Sequence, residues 1–335
     1  MLERLKLPRT DLEVSQICLG TANFGIKQSE EDAHELLESY LEFGGNFIDT
    51  ARVYSDWIPG EKGRCERIIG DWLRSSGKRD EVIIATKGMH YEWSDKSVNR
   101  VNQECARHDI ELSLEVLEIE TIDLYWLHRD KPWVPAEEIV DLMQVFIEEG
   151  KVRYLGVANW SGERLKAANE YALRNGLQGF AASQPLFNVG AWNVKPAADA
   201  TLEALDRAGY DYHLESGVSL IPYSAQAQGF FTKAADEEGA DWKSLMESRY
   251  ATPRNLKLAA AIRELAEEKG CEVNGVVLGY LMSQPFAIVP IVGANHPQQL
   301  EDSVMATRIR LTEEELQRLD DISESGVVYR VGGGF

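Results

Sequence analysis

The chain has 335 residues and is 44% hydrophobic, so it is long enough to bury one large core and is neither fibrous nor disordered. Its 35 basic and 55 acidic residues give a net charge of −20, which opposes binding to nucleic acid or anionic lipid and favours a cytoplasmic location. No apolar run approaches the roughly 20 residues of a membrane helix, so we expect no membrane partner.

The cysteines and histidines show no spacing that indicates a metal site. The cysteines lie far apart without a Cys-x-x-Cys pair, and the six histidines are scattered singly. We therefore expect no bound metal and four reduced cysteines with a packing role, at Cys18, Cys65, Cys105 and Cys271.

The predicted strands begin with a hairpin, because residues 2–7 and 12–14 alternate apolar with polar residues around the turn sequence Pro8-Arg9-Thr10-Asp11. Beyond it, short apolar runs alternate with amphipathic runs of helix length. The apolar runs are rich in Val, Ile and Leu on both faces, as buried parallel strands are. We predict eight such strands, at residues 16–20, 47–50, 82–86, 122–127, 152–157, 179–183, 219–223 and 288–291.

Helices are predicted between the strands from apolar residues that recur every three or four positions. In residues 136–149, for example, Ile139, Met143 and Phe146 share one face and Gly150 ends the helix. The other helices are predicted at residues 31–43, 66–75, 101–117, 163–175, 197–207, 254–269 and 274–283. A final helix begins at the capping box Thr312-Glu313-Glu314-Glu315, and residues 226–253 are long enough to form a lid.

These elements predict a (β/α)8 TIM barrel, forming a single domain over residues 1–335 with the N-terminal hairpin and extra C-terminal helices added to it. Eight strands at an average repeat of roughly 40 residues fit a closed barrel better than an open doubly wound sheet. No Gly-x-Gly-x-x-Gly follows a strand, which removes the main argument for a Rossmann domain. We expect the active site at the C-terminal ends of the strands.

Three successive strands bring polar side chains to that end of the barrel. Asp49 ends the second strand with Tyr54 shortly after it, Lys87 follows the third strand and His128 follows the fourth. Each has an ordinary explanation alone, as a turn carboxylate, a half-buried phenol, a surface lysine or a core histidine. Together they are complementary, because an ammonium group lowers the pKa of a neighbouring phenol and a carboxylate holds the ammonium in place. The set predicts a general acid usable near neutral pH.

The sequence resembles the aldo-keto reductase superfamily over nearly its whole length. The motifs that carry the resemblance are Leu19-Gly20-Thr21, Asp49-Thr50-Ala51 with Tyr54, Thr86-Lys87, Leu127-His128-Arg129, the run from Glu149 to Asn159, Gln184-Pro185, Tyr223-Ser224 and Gln228-Gly229-Phe230. The resemblance implies a reductase with a nicotinamide cofactor at the barrel mouth. Tyr54 would donate a proton to the substrate carbonyl, Lys87 would lower the pKa of Tyr54, Asp49 would pair with Lys87, and His128 would orient the carbonyl.

The resemblance also assigns cofactor-binding residues. Asn159 and Gln184 would bind the carboxamide, Tyr223 would stack on the nicotinamide ring unless it is an ordinary core aromatic, and Ser224 would lie near the diphosphate. The adenine end would lie along Gly293, Asn295, Gln299, Asp302 and Ser303.

The adenine-side segment, residues 293–303, contains no Lys or Arg to bind a 2′-phosphate. NADP(H), the family's usual cofactor, is therefore only slightly favoured, and NAD(H) or use of both stays open. Lys233, in the expected lid, is another source of positive charge, although a solvated loop lysine is its more ordinary explanation.

The predicted loops are rich in large aromatic residues that suit aryl, flat or sugar substrates, namely Trp57, Trp93, Trp133 and Trp192. Arg129 is placed to meet an anionic substrate group, or it forms a salt bridge with Asp130 or another acid.

We expect an NAD(P)H-dependent oxidoreductase that reversibly reduces an aldehyde or ketone, with a sugar or other small carbonyl compound as its partner and no specified oligomeric state. The alternative is a nicotinamide-binding regulatory or sensor subunit with slow or vestigial reductase activity. A third possibility, a metal-dependent barrel hydrolase or isomerase, needs more His and carboxylate ligands than Asp49 and His128.

Overall fold

The chain begins with a hairpin in which β1 (Arg4–Lys6) and β2 (Glu13–Ser15) pair antiparallel, with Leu5 opposite Val14. The structure is a computed structural model and describes residues 1–60, 62–190, 199, 201–236, 239 and 241–323. Leu7 and Val14 of the hairpin are buried in the same cluster as Trp126 of the barrel interior. The hairpin therefore closes one end of the barrel, and the site lies at the other.

Eight parallel strands follow, and the first seven of them pair in chain order. The last strand pairs with the first, and the Val289 N–H donates to the Leu220 carbonyl at 2.9 Å, which closes the circle. The strands are almost wholly buried, in keeping with their apolar sequence. They are β3 (Cys18–Gly20), β4 (Phe47–Asp49), β5 (Ile83–Gly88), β6 (Ile122–Leu127), β7 (Val152–Ala158), β8 (Phe180–Gln184), β9 (Ser219–Leu220) and β10 (Ile291–Val292).

Helices surround the sheet, and polar caps fix where several of them begin. Ser29 and Asp32 form a capping box at the first helix, and Thr312 and Glu315 form another at the last. Within the described residues, no helix is both long enough and apolar enough to cross a membrane. The helices are α1 (Glu30–Glu42), α2 (Arg64–Ser76), α3 (Gln103–Leu117), α4 (Ala136–Glu148), α5 (Gly162–Arg174), α6 (Arg207–Ser216), α7 (Phe230–Ala235), α8 (Trp242–Met246), α9 (Pro253–Lys269), α10 (Val273–Met282), α11 (Pro297–Ala306) and α12 (Glu313–Ser323).

The structure confirms the barrel and its hairpin but corrects one predicted helix. The helix at residues 197–207 is wrong in its described part, while residues 197, 198 and 200 lie outside the described residues. Leu205 and Glu203 instead pair through their backbones with Leu186, and the helix α6 begins only after Asp206, whose side chain caps it. The apolar repeat in residues 197–207 predicted a helix, but the backbone hydrogen bonds with Leu186, after β8, hold residues 203–205 in an extended pairing instead.

Two further segments differ from the sequence prediction. Residues 226–253 contain α7 and α8, and Phe230 and Phe231 are buried in the core, so α7 is packed against the barrel rather than held over it as a lid. The adenine-side segment contains α11, which starts at Pro297 and was not predicted because its apolar face is short.

Candidate active site

Lys87, Asp49 and Tyr54 meet at the C-terminal ends of β4 and β5. Lys87 is 1% exposed, and its ammonium group donates to the Asp49 carboxylate, to the Thr50 carbonyl at 2.7 Å and to the Tyr54 hydroxyl at 2.9 Å. Since an ammonium group has three N–H donors, all of them are used. The structure thus brings together three residues that the sequence could only place on neighbouring strands.

Burial and charge act against each other on these three groups. Burial raises the pKa of Tyr54, and although Lys87 lowers it, the net shift is upward. Burial also raises the pKa of Asp49 against the opposing effect of Lys87. Burial alone would lower the pKa of Lys87, but Asp49 and Tyr54 outweigh it and that pKa is raised.

The expected net lowering of the Tyr54 pKa toward neutrality is therefore wrong, although the contribution of Lys87 has the expected sign. The sequence does not reveal how deeply the phenol is buried. At neutral pH Tyr54 is protonated, which is the state that a proton donor needs.

A buried ion-pair network holds the loop that carries Tyr54. The Arg52 N–H donates to the Lys87 carbonyl at 3.1 Å, and its guanidinium pairs with Glu92 at 2.8 Å and with Asp109 at 3.1 Å. The sequence analysis missed these residues because their partners lie on separate elements. The available signal was Asp109, a carboxylate among the buried positions of α3.

His128 directly follows β6, and its ring centroid lies 6.0 Å from that of Tyr54 at an angle of 80°. Burial holds the pKa of His128 well below its ordinary value, and the neighbouring His90 and Arg129 add to this shift. The imidazole is therefore neutral at pH 7. Its Nδ1 atom is buried and has no hydrogen-bond partner within the described residues.

Five rings form a closed circle that includes Tyr54 and His128, which we call the aromatic circle. Its members are Tyr54, Trp57, Trp93, His90 and His128, with successive centroids 6.4, 5.7, 5.5 and 4.6 Å apart and the last returning to the first. Trp57 and Trp93 were predicted to face substrate, whereas His90 was missed because a lone histidine in a loop carries no signal. The circle offers apolar faces around the phenol.

Arg129 forms a salt bridge, which was one of its two predicted explanations. It donates to the His128 carbonyl at 2.8 Å and pairs with Asp199 at 2.9 Å, and the Tyr91 hydroxyl donates to the same carboxylate at 2.8 Å. Asp130 pairs instead with Arg164, at 2.7 Å. The charge of Arg129 is thus already neutralised by an internal partner.

The two remaining predicted tryptophans are Trp133 and Trp192. Trp133 is 70% exposed and lines a cavity beside Arg129. Trp192 lies outside the described residues.

The residues assigned to the nicotinamide lie on the β7 to β9 side of the proposed catalytic quartet, which consists of Asp49, Tyr54, Lys87 and His128. Asn159 adopts a left-handed backbone after β7, donates to the His128 carbonyl at 3.2 Å and accepts from the Tyr223 hydroxyl at 2.9 Å. Gln184, at the end of β8, donates to Asp49 at 3.0 Å. Ser224 also has a left-handed backbone, with φ of 55°. The four predicted residues therefore border one region of the barrel mouth.

The predicted adenine-side residues are linked to one another through neutral groups. The Gln226 side chain accepts from the Gly293 N–H and donates to the Ser303 hydroxyl, both at 3.1 Å. The Asn295 N–H donates to Gln299 at 2.8 Å. Gln226 was missed as a site residue because a neutral loop amide is indistinguishable by sequence from any other.

Asp302 and Gln28 complete this part of the mouth. Asp302 accepts from Gln298 at 3.4 Å, and Gln28 donates to the Ala294 carbonyl at 3.0 Å. The carboxamide oxygen of Gln28 is buried without a partner within the described residues. A ligand donor at this place would satisfy that acceptor.

These residues fit a nicotinamide dinucleotide through uncharged groups. A Cβ at Gly293 would meet no atom within 4 Å, so there is open space above this backbone. The neutral amides and hydroxyls suit a carboxamide and ribose hydroxyls, whereas a 2′-phosphate would find no cation in residues 293–303. Among the described residues, no three His, Cys, Asp or Glu side chains are grouped as metal ligands.

Comparisons with known proteins identify a matching family and similar sequences. The Aldo/keto reductase family profile matches residues 16–324. The chain is 29% identical to the putative aryl-alcohol dehydrogenase AAD14 of Saccharomyces cerevisiae, over 93% of this chain and 84% of the yeast protein. It is 28% identical to norsolorinic acid reductase B of Aspergillus parasiticus (95% and 83%) and 29% identical to the uncharacterized oxidoreductase YrpG of Bacillus subtilis (96% of both).

Proposed function

Because the chain belongs to the Aldo/keto reductase family, an enzyme family that reduces small carbonyl compounds with nicotinamide cofactors, we propose that it interconverts an aryl aldehyde or ketone and the corresponding alcohol. Tyr54 is the proposed proton donor to the carbonyl oxygen. The observation that carries the proposal is the buried contact between the Lys87 ammonium and the Tyr54 hydroxyl oxygen, at 2.9 Å.

That contact leaves the proton of the Tyr54 hydroxyl available to another acceptor. An ammonium group has no acceptor, so the Tyr54 oxygen accepts from Lys87 and its own proton is not used in that bond. The proton is therefore available to a carbonyl oxygen in the mouth. As it leaves, the negative charge that develops on the phenol is stabilised by Lys87, whose own position is held by Asp49.

His128 supplies a second hydrogen bond to the same carbonyl oxygen in this proposal. Its imidazole is neutral, so one ring nitrogen carries the proton and the other does not. We assign the proton to Nε2, because a buried Nδ1 without a partner costs less free energy as a bare acceptor than as an unpaired N–H donor. Nε2 then orients the carbonyl toward Tyr54.

A reduced nicotinamide would supply the hydride when bound. Asn159 and Gln184 would hold its carboxamide, Tyr223 its ring, and Ser224 would lie toward the diphosphate, in line with their positions around the quartet. Since the adenine-side segment lacks a cation, we propose that NADP(H) is only slightly preferred over NAD(H).

The aryl preference rests on the aromatic circle. The Trp57 ring packs against Tyr54 and the Trp93 ring packs against Trp57, so a flat substrate ring would gain both burial and edge contacts there. The name of the yeast relative, an aryl-alcohol dehydrogenase, supports the same substrate class.

The replacement Tyr54→Phe tests the proposal, because it removes the proton and keeps the ring. We expect turnover of benzaldehyde, measured as loss of reduced-cofactor absorbance, to fall by about 10²- to 10⁴-fold. Cofactor affinity, measured by quenching of tryptophan fluorescence, should change less than about twofold, because the phenol acts in the transition state.

A matched control is Tyr171→Phe, which removes an exposed hydroxyl that donates to Asp141 on the outer helices. It should keep wild-type turnover. Wild-type protein that binds cofactor but turns over no aldehyde of a broad panel would refute the proposal, and a single slow turnover would favour a sensor subunit instead.

A further inference from the structure

A cavity of about 370 Å³ lies among the loops that follow β5, β6, β7 and β8. On its inner side it is lined by Arg129 and Asn159, which contact the His128 carbonyl, and by Tyr91, whose ring lies 4.0 Å from that of His90. Its outer side is formed by residues 96–100 and by Trp133. The cavity therefore lies next to residues that contact His128 and His90 of the aromatic circle.

Three of the four cationic side chains that line this cavity are neutralised by carboxylates. Such pairs are satisfied within the protein and leave little attraction for a ligand. The pairs are Arg100 with Asp109 at 2.8 Å, Arg129 with Asp199 at 2.9 Å, and Arg164 with Asp130 at 2.7 Å.

Lys96 is the fourth cation, and it is exposed. Its Nζ atom lies 4.7 Å from the centroid of the Trp93 ring and 5.9 Å from that of Tyr91. No carboxylate of the described residues forms an ion pair with it. Glu203 also lines the cavity, but its backbone N–H is bound to Asn159, which places it on the inner side. An available positive charge thus lies over aromatic faces at the outer side.

We propose that this cavity holds the outer part of an aryl carbonyl substrate and that Lys96 binds a carboxylate on it, an inference that rests on the proposed function. The carbonyl would lie at Tyr54, the substrate ring beside Tyr91 and Trp93, and the carboxylate at Lys96. Trp133, 70% exposed, would lose water-accessible surface by covering that ring. A protein of net charge −20 repels anions at long range, so it needs a local cation of this kind to select one.

The test compares 4-formylbenzoate with its uncharged methyl ester, methyl 4-formylbenzoate, in wild-type protein and in Lys96→Gln. We expect Lys96→Gln to lower kcat/KM for 4-formylbenzoate by about fivefold, through KM, because one exposed ion pair is lost. The value for the methyl ester should change by less than about twofold. Added salt should weaken the preference of the wild type for the carboxylate.

The matched control is Lys166→Gln, which removes the same charge from the exposed face of α5, outside the cavity lining. It should leave both kcat/KM values unchanged. Turnover of both compounds with no selective loss in Lys96→Gln would overturn the inference and leave the proposed function standing. Failure of the wild type to turn over either compound would overturn both.

Discussion

Replacing Lys87 with methionine is the sharpest test of how the candidate site is built. Methionine nearly preserves the length of the side chain and removes the ammonium group that donates to Asp49, Thr50 and Tyr54. Asp49 is 2% exposed and would keep the donation from Gln184, at 3.0 Å, without any compensating positive charge. The variant therefore leaves an uncompensated carboxylate in the barrel.

The expected cost is large because the pair is buried. Removing one member of a buried ion pair typically costs about 3–5 kcal/mol, since the remaining charge has lost both water and its partner. At about 2 °C per kcal/mol for a chain of this size, the melting temperature should fall by about 6–10 °C. Adding Asp49→Asn to Lys87→Met removes the stranded charge, so the double variant should recover about half of the loss.

Thermal melts followed by circular dichroism measure these differences, with Lys166→Met as a control that removes a surface lysine. The loss in Lys87→Met should shrink as the pH falls, because burial raises the pKa of Asp49 and protonation makes it neutral. A Lys87→Met protein that melts within about 2 °C of wild type, or a double variant no more stable than Lys87→Met, would refute this reasoning.

Two further predictions concern pH and the cofactor. Glu66 is buried, accepts hydrogen bonds from Thr86 and Ser113, and burial raises its pKa from 4.5 to about 7. Between these values the folded state keeps a proton that the unfolded chain releases, so wild type loses stability as the pH rises through them. Glu66→Gln should therefore gain about 2.5 kcal/mol relative to wild type between pH 5 and pH 8, and a constant difference in melts at the two pH values would contradict this. In paired fluorescence titrations, NADPH should bind no more than about tenfold more tightly than NADH, because residues 293–303 offer only neutral donors. A much larger ratio would require a cation from elsewhere in the chain. Lys233 would then be the first residue to replace.

Lys233 lies close to the turn that follows β9. A Cβ added at Gly229 would lie 3.9 Å from the Cε of Lys233, so its stem folds back toward this backbone. The side chain is exposed and therefore able to move. Lys233→Gln thus separates a missed phosphate contact from a truly neutral adenine site.

The sequence by itself determined the architecture and the reaction type. Apolar strands and amphipathic helices are recognised from local sequence patterns. Eight alternating strand and helix repeats favour a closed barrel, because that arrangement covers both faces of the parallel sheet. Because the strands are parallel, residues that end successive strands must converge, which is why Asp49, Lys87 and His128 could be grouped before their contacts were known.

Only the tertiary structure decided how these groups behave and what surrounds them. The net direction of the Tyr54 pKa depends on burial, which is a sum over distant residues, and Arg129 found its partner in Asp199, far along the chain. The same holds for Lys96, whose proposed role follows only from the pairing of the neighbouring cations with carboxylates. Periodicity is read from neighbours in sequence, whereas burial and charge pairing are set by neighbours in space.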